Sequence, residues 1–316
     1  MKPLTGLGMG RPTVDVPWWN VLRPPFLLLT LSCMGLAVGW SAWLAQAEGL
    51  VWPHWAAVAC VVGALLAHAG VNVLNEVHDV RSGLDQHTWR TPYSGGSGAL
   101  LSHPNKINAA ARLGWLCVVL TAVIGLGLWW WRPEARGPLL ALGAAGLLLV
   151  VAYTPWVTRH PWLCLMAPGL GFGPLMLLGT EVVLTGRWSW QGAALSVVPM
   201  ALVNNLLLLN QFPDVDADRR VGRRTLPMVL GRARSVVVMG VQQVAAWVWL
   251  GVGAWQGWWP QGVALAVLAL PLSLWVLQRA WQARDDLSAL QPAMALNVAQ
   301  SILVPGLMAV GLWLHG

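Results

Sequence analysis

Long apolar stretches alternate with short polar segments along the chain, and nine of them approach or reach the length of a membrane-spanning helix. The hydrocarbon core of a bilayer is about 30 Å thick and takes about 20 apolar residues per helical crossing. The nine stretches cover approximately residues 26–46, 55–78, 112–131, 138–153, 162–183, 190–212, 235–256, 261–281 and 294–314. The pattern predicts an all-α membrane protein in which a segment of residues 1–25 precedes a single transmembrane domain, residues 26–316.

Composition supports this assignment and narrows the class of protein further. Of the 316 residues, 57% are hydrophobic and only 10% are charged, which excludes a soluble globular domain. Residues 1–25 carry charges and prolines without an apolar core or a small-residue cleavage site, so they do not resemble a cleaved signal peptide. The four cysteines lie in apolar stretches without a CxxC pair, which indicates small core residues.

The distribution of basic residues predicts the orientation of the chain, because Lys and Arg accumulate in cytoplasmic loops. With the N-terminus in the cytoplasm, nine spans place sixteen of the nineteen Lys and Arg residues inside and only Arg132, Arg136 and Arg187 outside. We therefore predict a cytoplasmic N-terminus in a plasma (inner) membrane. The net charge of +7 then reflects topology and contact with anionic membrane lipid, and we expect no nucleic-acid partner.

Acidic residues are few, and half of the twelve lie in two short stretches at helix ends. These six are Glu76, Asp79 and Asp85 after the second span, and Asp214, Asp216 and Asp218 after the sixth. Carboxylates close to hydrocarbon are costly and usually functional. In the first stretch, Asn72, Asn75, Glu76 and Asp79 stand at offsets 0, 3, 4 and 7, which places them on one helix face. Two amides and two carboxylates on one face are suited to a divalent cation.

The second stretch repeats this arrangement, with Asn210, Asp214 and Asp218 spaced by four residues. Pro213 lacks the amide donor that a continuous helix needs, so we expect Asp214 on an unwound or restarted turn. The Asn-x-x-x-Asp pattern of the first stretch recurs after 135 residues in the second. The repetition predicts two related four-helix halves plus one helix, each half delivering an acidic cluster to a shared cytoplasmic cavity.

Positive charge accompanies both acidic stretches. It is supplied by Arg81, Arg90 and Lys106 in one loop and by Arg219, Arg220, Arg223 and Arg224 in the other. Carboxylates bind Mg²⁺, which keeps positions open for phosphate oxygens, while guanidinium groups bind phosphates directly. Together they indicate a diphosphate site. The glycine-rich loop from Ser94 to Gly98 either offers backbone N–H groups to phosphate or serves as a flexible connector.

The two acidic stretches closely resemble the aspartate-rich motifs of the UbiA superfamily of intramembrane prenyltransferases. The matching segments read N-E-V-H-D-V-R-S-G-L-D from Asn75 to Asp85 and N-Q-F-P-D-V-D-A-D-R-R-V-G-R-R-T-L-P from Asn210 to Pro227. Shorter similarities occur in order along the chain, at Leu22-Arg23-Pro24, Tyr153-Thr154 and Gly169-Leu170-Gly171. The resemblance covers essentially the whole chain and includes nine helices with both motifs facing the cytoplasm.

The resemblance implies allylic substitution, in which two Mg²⁺ ions stabilise the diphosphate leaving group of a polyprenyl diphosphate donor. One ion would be held by Asn75, Asp79 and Asp85 and the other by Asn210, Asp214 and Asp218. Arg90 and Arg224, with Arg23 and Arg223, would contact the diphosphate. Tyr153 would face the allylic cation with its aromatic ring; an ordinary interfacial anchor is its alternative role.

The acceptor is implied less sharply. The wide spacing from Asp79 to Asp85 around Gly83 is similar to the menaquinone branch, the dihydroxynaphthoate polyprenyltransferases, which implies a small aromatic acceptor. Two residues depart from the pattern: Glu76 stands where the family usually has Asp, and Phe172 stands where this branch usually has Glu. The alternatives are another acceptor (4-hydroxybenzoate, homogentisate, chlorophyllide, a glycerol-phosphate lipid or a phosphosugar), an accessory protein that binds isoprenoid diphosphate without turnover, and a secondary transporter.

Overall fold

The computed structural model of the protein describes residues 16–314, and all regular structure in this range is helical. The α-helices are α1 (Pro24–Ala47), α2 (His54–Arg81), α3 (Ala99–Ser102), α4 (Ile107–Trp131), α5 (Arg136–Ala152), α6 (Pro161–Leu170), α7 (Met176–Thr185), α8 (Trp190–Asn210), α9 (Val215–Arg220), α10 (Leu226–Leu230), α11 (Arg232–Trp255), α12 (Leu270–Ala283) and α13 (Leu287–Leu314). A π-helical turn, Gly171–Leu175, joins α6 to α7, and a 3₁₀ segment, Gln261–Ala269, leads into α12. Of the predicted N-terminal segment 1–25, residues 1–15 lie outside the described range.

Nine helical stretches between residues 16 and 314 are long and apolar enough to cross a membrane, as predicted. They are Trp18–Ala47, His54–Arg81, Pro104–Trp131, Pro133–Ala152, Pro161–Thr185, Trp190–Asn210, Arg232–Trp255, Gln261–Ala283 and Leu287–Leu314. Hydrocarbon offers no hydrogen-bond partners to backbone N–H and C=O groups, whereas a helix pairs these groups internally. The sixth span is central, since 72% of its most apolar window is buried, whereas the fourth, with 6%, is peripheral.

The core of the bundle forms where α1, α8 and α13 pack together. Trp40, Leu195 and Met308 are fully buried there, and Trp259 closes the cluster at one end. Packing alone specifies little in lipid, because lipid tails are as apolar as leucine, so close approach and interhelical hydrogen bonds matter more. Because α8 is surrounded by other helices, the second acidic motif at its C-terminal end lies near the central axis of the bundle.

Buried amides reinforce these helix contacts within the membrane. The Asn297 side chain donates to the backbone carbonyl of Asn205 at 2.9 Å, joining α13 to α8. Gln300 donates to Gln243 of α11 at 3.1 Å and to Asn297 at 2.7 Å. The last helix is thereby bonded to two neighbours through Asn297 and Gln300.

The fifth span is interrupted halfway, where Pro168 and Pro174 flank the π-helical turn between α6 and α7. Gly169 is required here, because a Cβ atom at this position would lie 2.2 Å from the Asn204 side chain of α8. The Gly169 N–H donates instead to Asn204 Oδ1 at 2.9 Å. The interruption therefore packs tightly on α8, and Phe172 packs against a buried apolar cluster formed by α1 and α8.

Candidate active site

The two acidic motifs, far apart in sequence, meet at one end of the bundle. Arg223, in the loop after α9, forms ion pairs with Asp79 at the end of α2 and with Asp218 of α9, the latter at 3.3 Å. Only 11% of the Arg223 side chain is exposed, and both carboxylates are buried. Charged groups from both motifs are thus in direct contact at one site.

The first motif is presented by the last turns of α2. Asn72 and Asn75 are half-buried and face the interior, where Asn72 donates to the Leu22 carbonyl at 3.2 Å and Asn75 to Thr154 Oγ1 at 3.2 Å. Glu76 and Asp79 on the same face are buried. The helical spacing therefore places the four polar side chains as predicted, on the face that the rest of the bundle covers.

Asp85 belongs to the same site although it lies beyond the helix. Gly83, with φ of 78°, ends α2 in a conformation that favours glycine, and a 3₁₀ turn, Leu84–Gln86, follows. This turn buries Asp85, and neither of its carboxylate oxygens has a hydrogen-bond partner among the described residues. Burial, with the negative charges of Asp79 and Glu76, raises the pKa of Asp85 to about 7.

The second motif has the restarted turn that Pro213 predicts. Helix α8 ends at Asn210, and α9 begins at Val215, directly after Asp214. One oxygen each of Asn210 and Asp214 is buried without a hydrogen-bond partner in the described part of the chain. Burial and the neighbouring Asp218 carboxylate raise the pKa of Asp214 to about 8, and burial raises the pKa of Asp218 to about 6.

These orphaned oxygens fit a hard divalent cation. Buried acceptors without donors are rare and costly, and carboxylate and amide oxygens are ligands that Mg²⁺ and Ca²⁺ accept. The unpartnered oxygens are those of Asp85, Asn210 and Asp214. Within residues 16–314, no three acidic, His or Cys side chains converge on one point, and Arg223 lies between Asp79 and Asp218. The oxygens of Asp85, Asn210 and Asp214 are thus chemically suited to Mg²⁺, while Arg223 neutralises Asp79 and Asp218.

Glu76 differs from Asp85 and Asp214, because both of its carboxylate oxygens accept hydrogen bonds from protein donors. Arg23 Nε donates to it at 2.9 Å, and Ser97 donates through its backbone N–H at 2.5 Å and its hydroxyl at 2.9 Å. The side chain of Glu is longer than that of Asp, and it reaches both Arg23, directly before α1, and the loop from Ser94 to Gly98. The signal for this role was present in the sequence as a departure from the family pattern.

Hydrogen bonds from Arg90 and to Glu76 hold the glycine-rich loop in place. Gly95, Gly96 and Gly98 have φ values of 81°, 75° and 74°, which other residues rarely adopt. Arg90 closes the loop by donating to the Gly95 carbonyl at 3.1 Å and to the Asp85 carbonyl at 2.9 Å. The loop therefore has a defined conformation beside Asp85, and its Ser97 N–H group is already hydrogen-bonded to Glu76.

The four predicted phosphate-binding arginines occupy different positions. Arg23 is paired with Glu76, Arg90 lies 3.9 Å from Asp85, and Arg223 bridges the two motifs. Arg224 is exposed and lines an adjacent basic cavity of about 510 Å³ together with Arg219 and Arg223. The structure therefore brings three of the four to the acidic groups and leaves Arg224 exposed in the adjacent cavity.

Tyr153 lies at the boundary between the charged site and the membrane interior. It follows α5 directly and packs beside Val157 and Cys164. Burial raises its pKa well above the ordinary value for tyrosine, so the phenol stays protonated. The Tyr153 side chain lines an apolar cavity inside the protein, so it does not occupy the position of an interfacial anchor.

An apolar groove of about 550 Å³ runs from this site into the membrane-spanning region. Arg23, Asn75 and Tyr153 line its charged end, and Leu128, Trp129 and Leu139 line the opposite end. Its walls come from α2, α4, α5 and the interrupted pair α6 and α7. Sequence patterns did not identify this lining, because an apolar residue facing a groove looks the same as one facing lipid or core.

Comparison with known proteins places this architecture. A model of the UbiA prenyltransferase family matches residues 32–299. The 1,4-dihydroxy-2-naphthoate octaprenyltransferase of Mycobacterium tuberculosis (strain ATCC 25618 / H37Rv) is 27% identical over 275 residues, which are 80% of this chain and 83% of that protein. The enzyme of that name from Bacillus subtilis (strain 168) is 23% identical over 73% of this chain and 71% of its own.

Solved structures show the same fold at lower identity. A UbiA homolog from Aeropyrum pernix K1 superposes with a TM-score of 0.63 at 16% identity, covering 93% of this chain and 98% of that one. A UbiA homolog from Archaeoglobus fulgidus, bound to DMAPP and Mg²⁺, superposes with a TM-score of 0.63 at 13% identity, covering 91% and 98%.

Proposed function

The chain belongs to the UbiA prenyltransferase family, and from that premise we propose that it transfers a polyprenyl group from polyprenyl diphosphate to a small aromatic acceptor of the 1,4-dihydroxy-2-naphthoate type, with Mg²⁺ as cofactor. One observation carries the proposal: the two acidic motifs meet at Arg223, and Asn75 of the first motif lines the charged end of an apolar groove. A charged head with a hydrocarbon tail is the kind of donor that this arrangement accommodates.

The diphosphate of the donor belongs at the charged end. Asn75, Asp79 and Asp85 from the first motif, and Asn210, Asp214 and Asp218 from the second, would hold the cofactor. Bound Mg²⁺ supplies neutralisation of the diphosphate and stabilisation of the leaving group. Arg23, Arg90 and Arg223 add guanidinium donors within the same cluster of charges, and such donors form strong hydrogen bonds with phosphate oxygens.

The allylic end of the donor belongs beside Tyr153. As the bond to diphosphate breaks, positive charge develops on the allylic carbons, and the face of an aromatic ring attracts a cation. Tyr153 lines both the charged end and the start of the groove. The apolar walls beyond it exclude water, which would otherwise capture the cation.

The acceptor assignment follows from the relatives and from the charge around Tyr153. Two curated relatives that match most of this chain are named 1,4-dihydroxy-2-naphthoate octaprenyltransferase. A glycerol-phosphate or phosphosugar acceptor would need further cations near Tyr153, and Arg159, the basic residue nearest to it in sequence, is exposed. A transporter would place its polar site near the bilayer midplane, whereas the acids here lie at helix ends.

We place the active site on the cytoplasmic face of the plasma membrane. The loops beside the acidic motifs carry most of the basic residues, among them Arg81, Arg219 and Arg220. The opposite face carries Arg132, Arg136 and Arg187. The positive-inside rule favours this orientation, and it gives the diphosphate access from the aqueous side where soluble precursors are made.

The direct test is prenyl transfer by detergent-solubilised protein. A labelled polyprenyl diphosphate would be offered with Mg²⁺ or with EDTA, together with 1,4-dihydroxy-2-naphthoate, 4-hydroxybenzoate or homogentisate. We expect a prenylated product with dihydroxynaphthoate in Mg²⁺ alone. Product with another acceptor would keep prenyl transfer and replace the acceptor, whereas absence of Mg²⁺-dependent diphosphate release with every acceptor would reject the proposal.

The groove predicts how the enzyme selects donors by length. Gly143 of α5 lines the groove with open space around it, and it lies ten residues, about 15 Å along the helix axis, from Tyr153. Gly143→Phe fills the groove at that depth without touching the charged end. We expect it to raise the KM for a long polyprenyl diphosphate by about tenfold, corresponding to about 1.4 kcal/mol of lost apolar contact, and to leave geranyl diphosphate within about twofold.

Gly137→Phe is the matched control for this prediction. Gly137 lies on the same helix, is exposed and has open space around it, but it does not line the groove. Initial rates with the two donors in proteoliposomes give the four KM values. If Gly143→Phe and Gly137→Phe affect the long donor equally, the groove does not hold the tail.

A further inference from the structure

The buried imidazole of His68 lines the groove and has no role in the proposed binding of the diphosphate. It lies on α2, seven residues and about 10 Å along the helix axis before Asn75. The spacing places it on the helix face that carries Asn72, Asn75 and Asp79. Its residue surface is only 8% exposed, and its ring lines the groove. A polar group at membrane depth is costly unless it has partners, and it is usually functional.

Two neighbours fix the orientation of this ring. Nδ1 of His68 shares a hydrogen bond of 2.7 Å with the Thr30 hydroxyl of α1, which is fully buried. The ring of Phe172, in the π-helical turn between α6 and α7, meets the imidazole edge-on at 4.9 Å between centroids. A histidine held in this way from two sides presents its second nitrogen in a defined direction.

Within residues 16–314, the only hydrogen bond of the His68 side chain is the one through Nδ1 to Thr30, so Nε2 is free to bond to a molecule in the groove. The hydroxyl groups lining the groove beyond Asn72 are already used: Thr121 donates to the Cys117 carbonyl at 2.8 Å, and Thr180 donates to the Met34 sulfur at 3.9 Å. His68 therefore contributes the nitrogen that remains available in the deep, otherwise apolar part of the groove.

The chemistry of the substrates decides what can bind there. A polyprenyl tail carries no group that can form a hydrogen bond, so it leaves Nε2 unsatisfied at a cost. An aromatic acceptor carries ring oxygens, and its ring also suits edge or face contact with Phe172. His68 lies four residues, about 6 Å along the axis, deeper than Asn72, so an acceptor at the inner edge of the charged site can reach it.

Building on the proposed function, we propose that His68 is a positioning residue for the acceptor, with Nε2 hydrogen-bonded to a ring oxygen of the aromatic substrate and Thr30 holding the imidazole in place. His68 then takes no part in binding the donor. The role predicts a selective change in acceptor affinity when the nitrogen is removed.

The test compares His68→Phe, which keeps a ring but removes both nitrogens, with His68→Gln, which keeps a hydrogen-bonding group. KM values for 1,4-dihydroxy-2-naphthoate and for the donor would be measured with each protein. Acceptor binding would also be measured by equilibrium dialysis with Mg²⁺ and an unreactive thiodiphosphate donor analogue. We expect His68→Phe to raise the acceptor KM and Kd by about tenfold, with the donor KM within about twofold and with substantial recovery in His68→Gln.

Thr30→Val keeps His68 but releases its anchor, so the acceptor KM should rise there too, and this variant carries the test if His68→Phe does not fold. Thr185→Val is the matched control: this hydroxyl lies outside the groove and donates to the Glu181 carbonyl of its own helix, so both KM values should stay unchanged. A wild-type protein without transfer to or binding of any aromatic acceptor would overturn the proposed function, and this inference with it. An active wild type whose acceptor KM is unaffected by His68→Phe, or is equally impaired in Phe and Gln variants, would overturn the role of His68 alone.

Discussion

Replacing Asp214 by asparagine is expected to lower Mg²⁺-dependent prenyl transfer by about 100-fold or more, since a metal stabilises transition-state charge by several kcal/mol and each 1.4 kcal/mol is a factor of ten in rate. Asp214 contributes a buried oxygen without a protein partner, at the point where α8 ends and α9 begins. Asparagine has the same shape but not the charge that a divalent cation needs. The fold should therefore survive while the reaction is lost.

Asp216→Asn is the matched control, two residues away on α9. The Asp216 side chain is 86% exposed, and its partner Arg219 lies 3.8 Å away on the same helix turn. A surface pair of this kind contributes little, so activity should stay within about twofold of wild type. Initial rates across a Mg²⁺ titration distinguish the two variants. Retained activity in Asp214→Asn, or equal loss in both, would contradict the assignment of the second motif as a metal site.

Removal of the Arg223 guanidinium is expected to have the second large effect, this time on stability as well as activity. In Arg223→Leu, the buried carboxylates of Asp79 and Asp218 lose the cation that lies between them. Breaking a buried ion pair from one side costs about 3–5 kcal/mol, because an uncompensated charge remains. We expect a clear drop in Tm in EDTA and the loss of most prenyl transfer, since the proposed contact between Arg223 and the diphosphate is also removed.

Mg²⁺ should restore part of the lost stability in this variant. A cation that binds the folded state raises its stability by mass action, and with Arg223 absent it meets carboxylates that no longer have a partner. The Mg²⁺-dependent rise in Tm should therefore be larger in Arg223→Leu than in wild type. Arg219→Leu serves as control, because that side chain is 64% exposed and should shift Tm little. Equal Mg²⁺ effects in all three proteins would show that Arg223 and the metal do not share these carboxylates.

The spans were predictable because the constraint that produces them is local. Each crossing must be helical and about 20 apolar residues long, since hydrocarbon offers no partners to the backbone. The nine stretches read from the sequence correspond to the nine found within residues 16–314. The helical offsets likewise placed Asn72, Asn75 and Asp79 on one buried face, and Pro213 predicted the restarted turn before α9.

The contacts between distant residues were not predictable in the same way. Glu76 was visible in the sequence only as a departure from the family pattern, yet it binds Arg23 and Ser97 from two other segments. Arg223 was one of seven basic residues in the two loops, and its burial between Asp79 and Asp218 distinguishes it from the exposed Arg224. Such pairings depend on which helix ends are neighbours, which periodicity does not specify.

The sequence by itself determined the class of this protein: a nine-span membrane chain with two acidic helix ends and a match to the UbiA prenyltransferases. Hydropathy and helical spacing act over a few turns, so they can be read along one dimension. Only the tertiary structure decided that an apolar groove opens between α2, α4, α5 and the α6–α7 pair, and that His68 lines it against Thr30 and Phe172. The reason is physical: a groove is the space that packing leaves between helices, and its shape belongs to no single one of them.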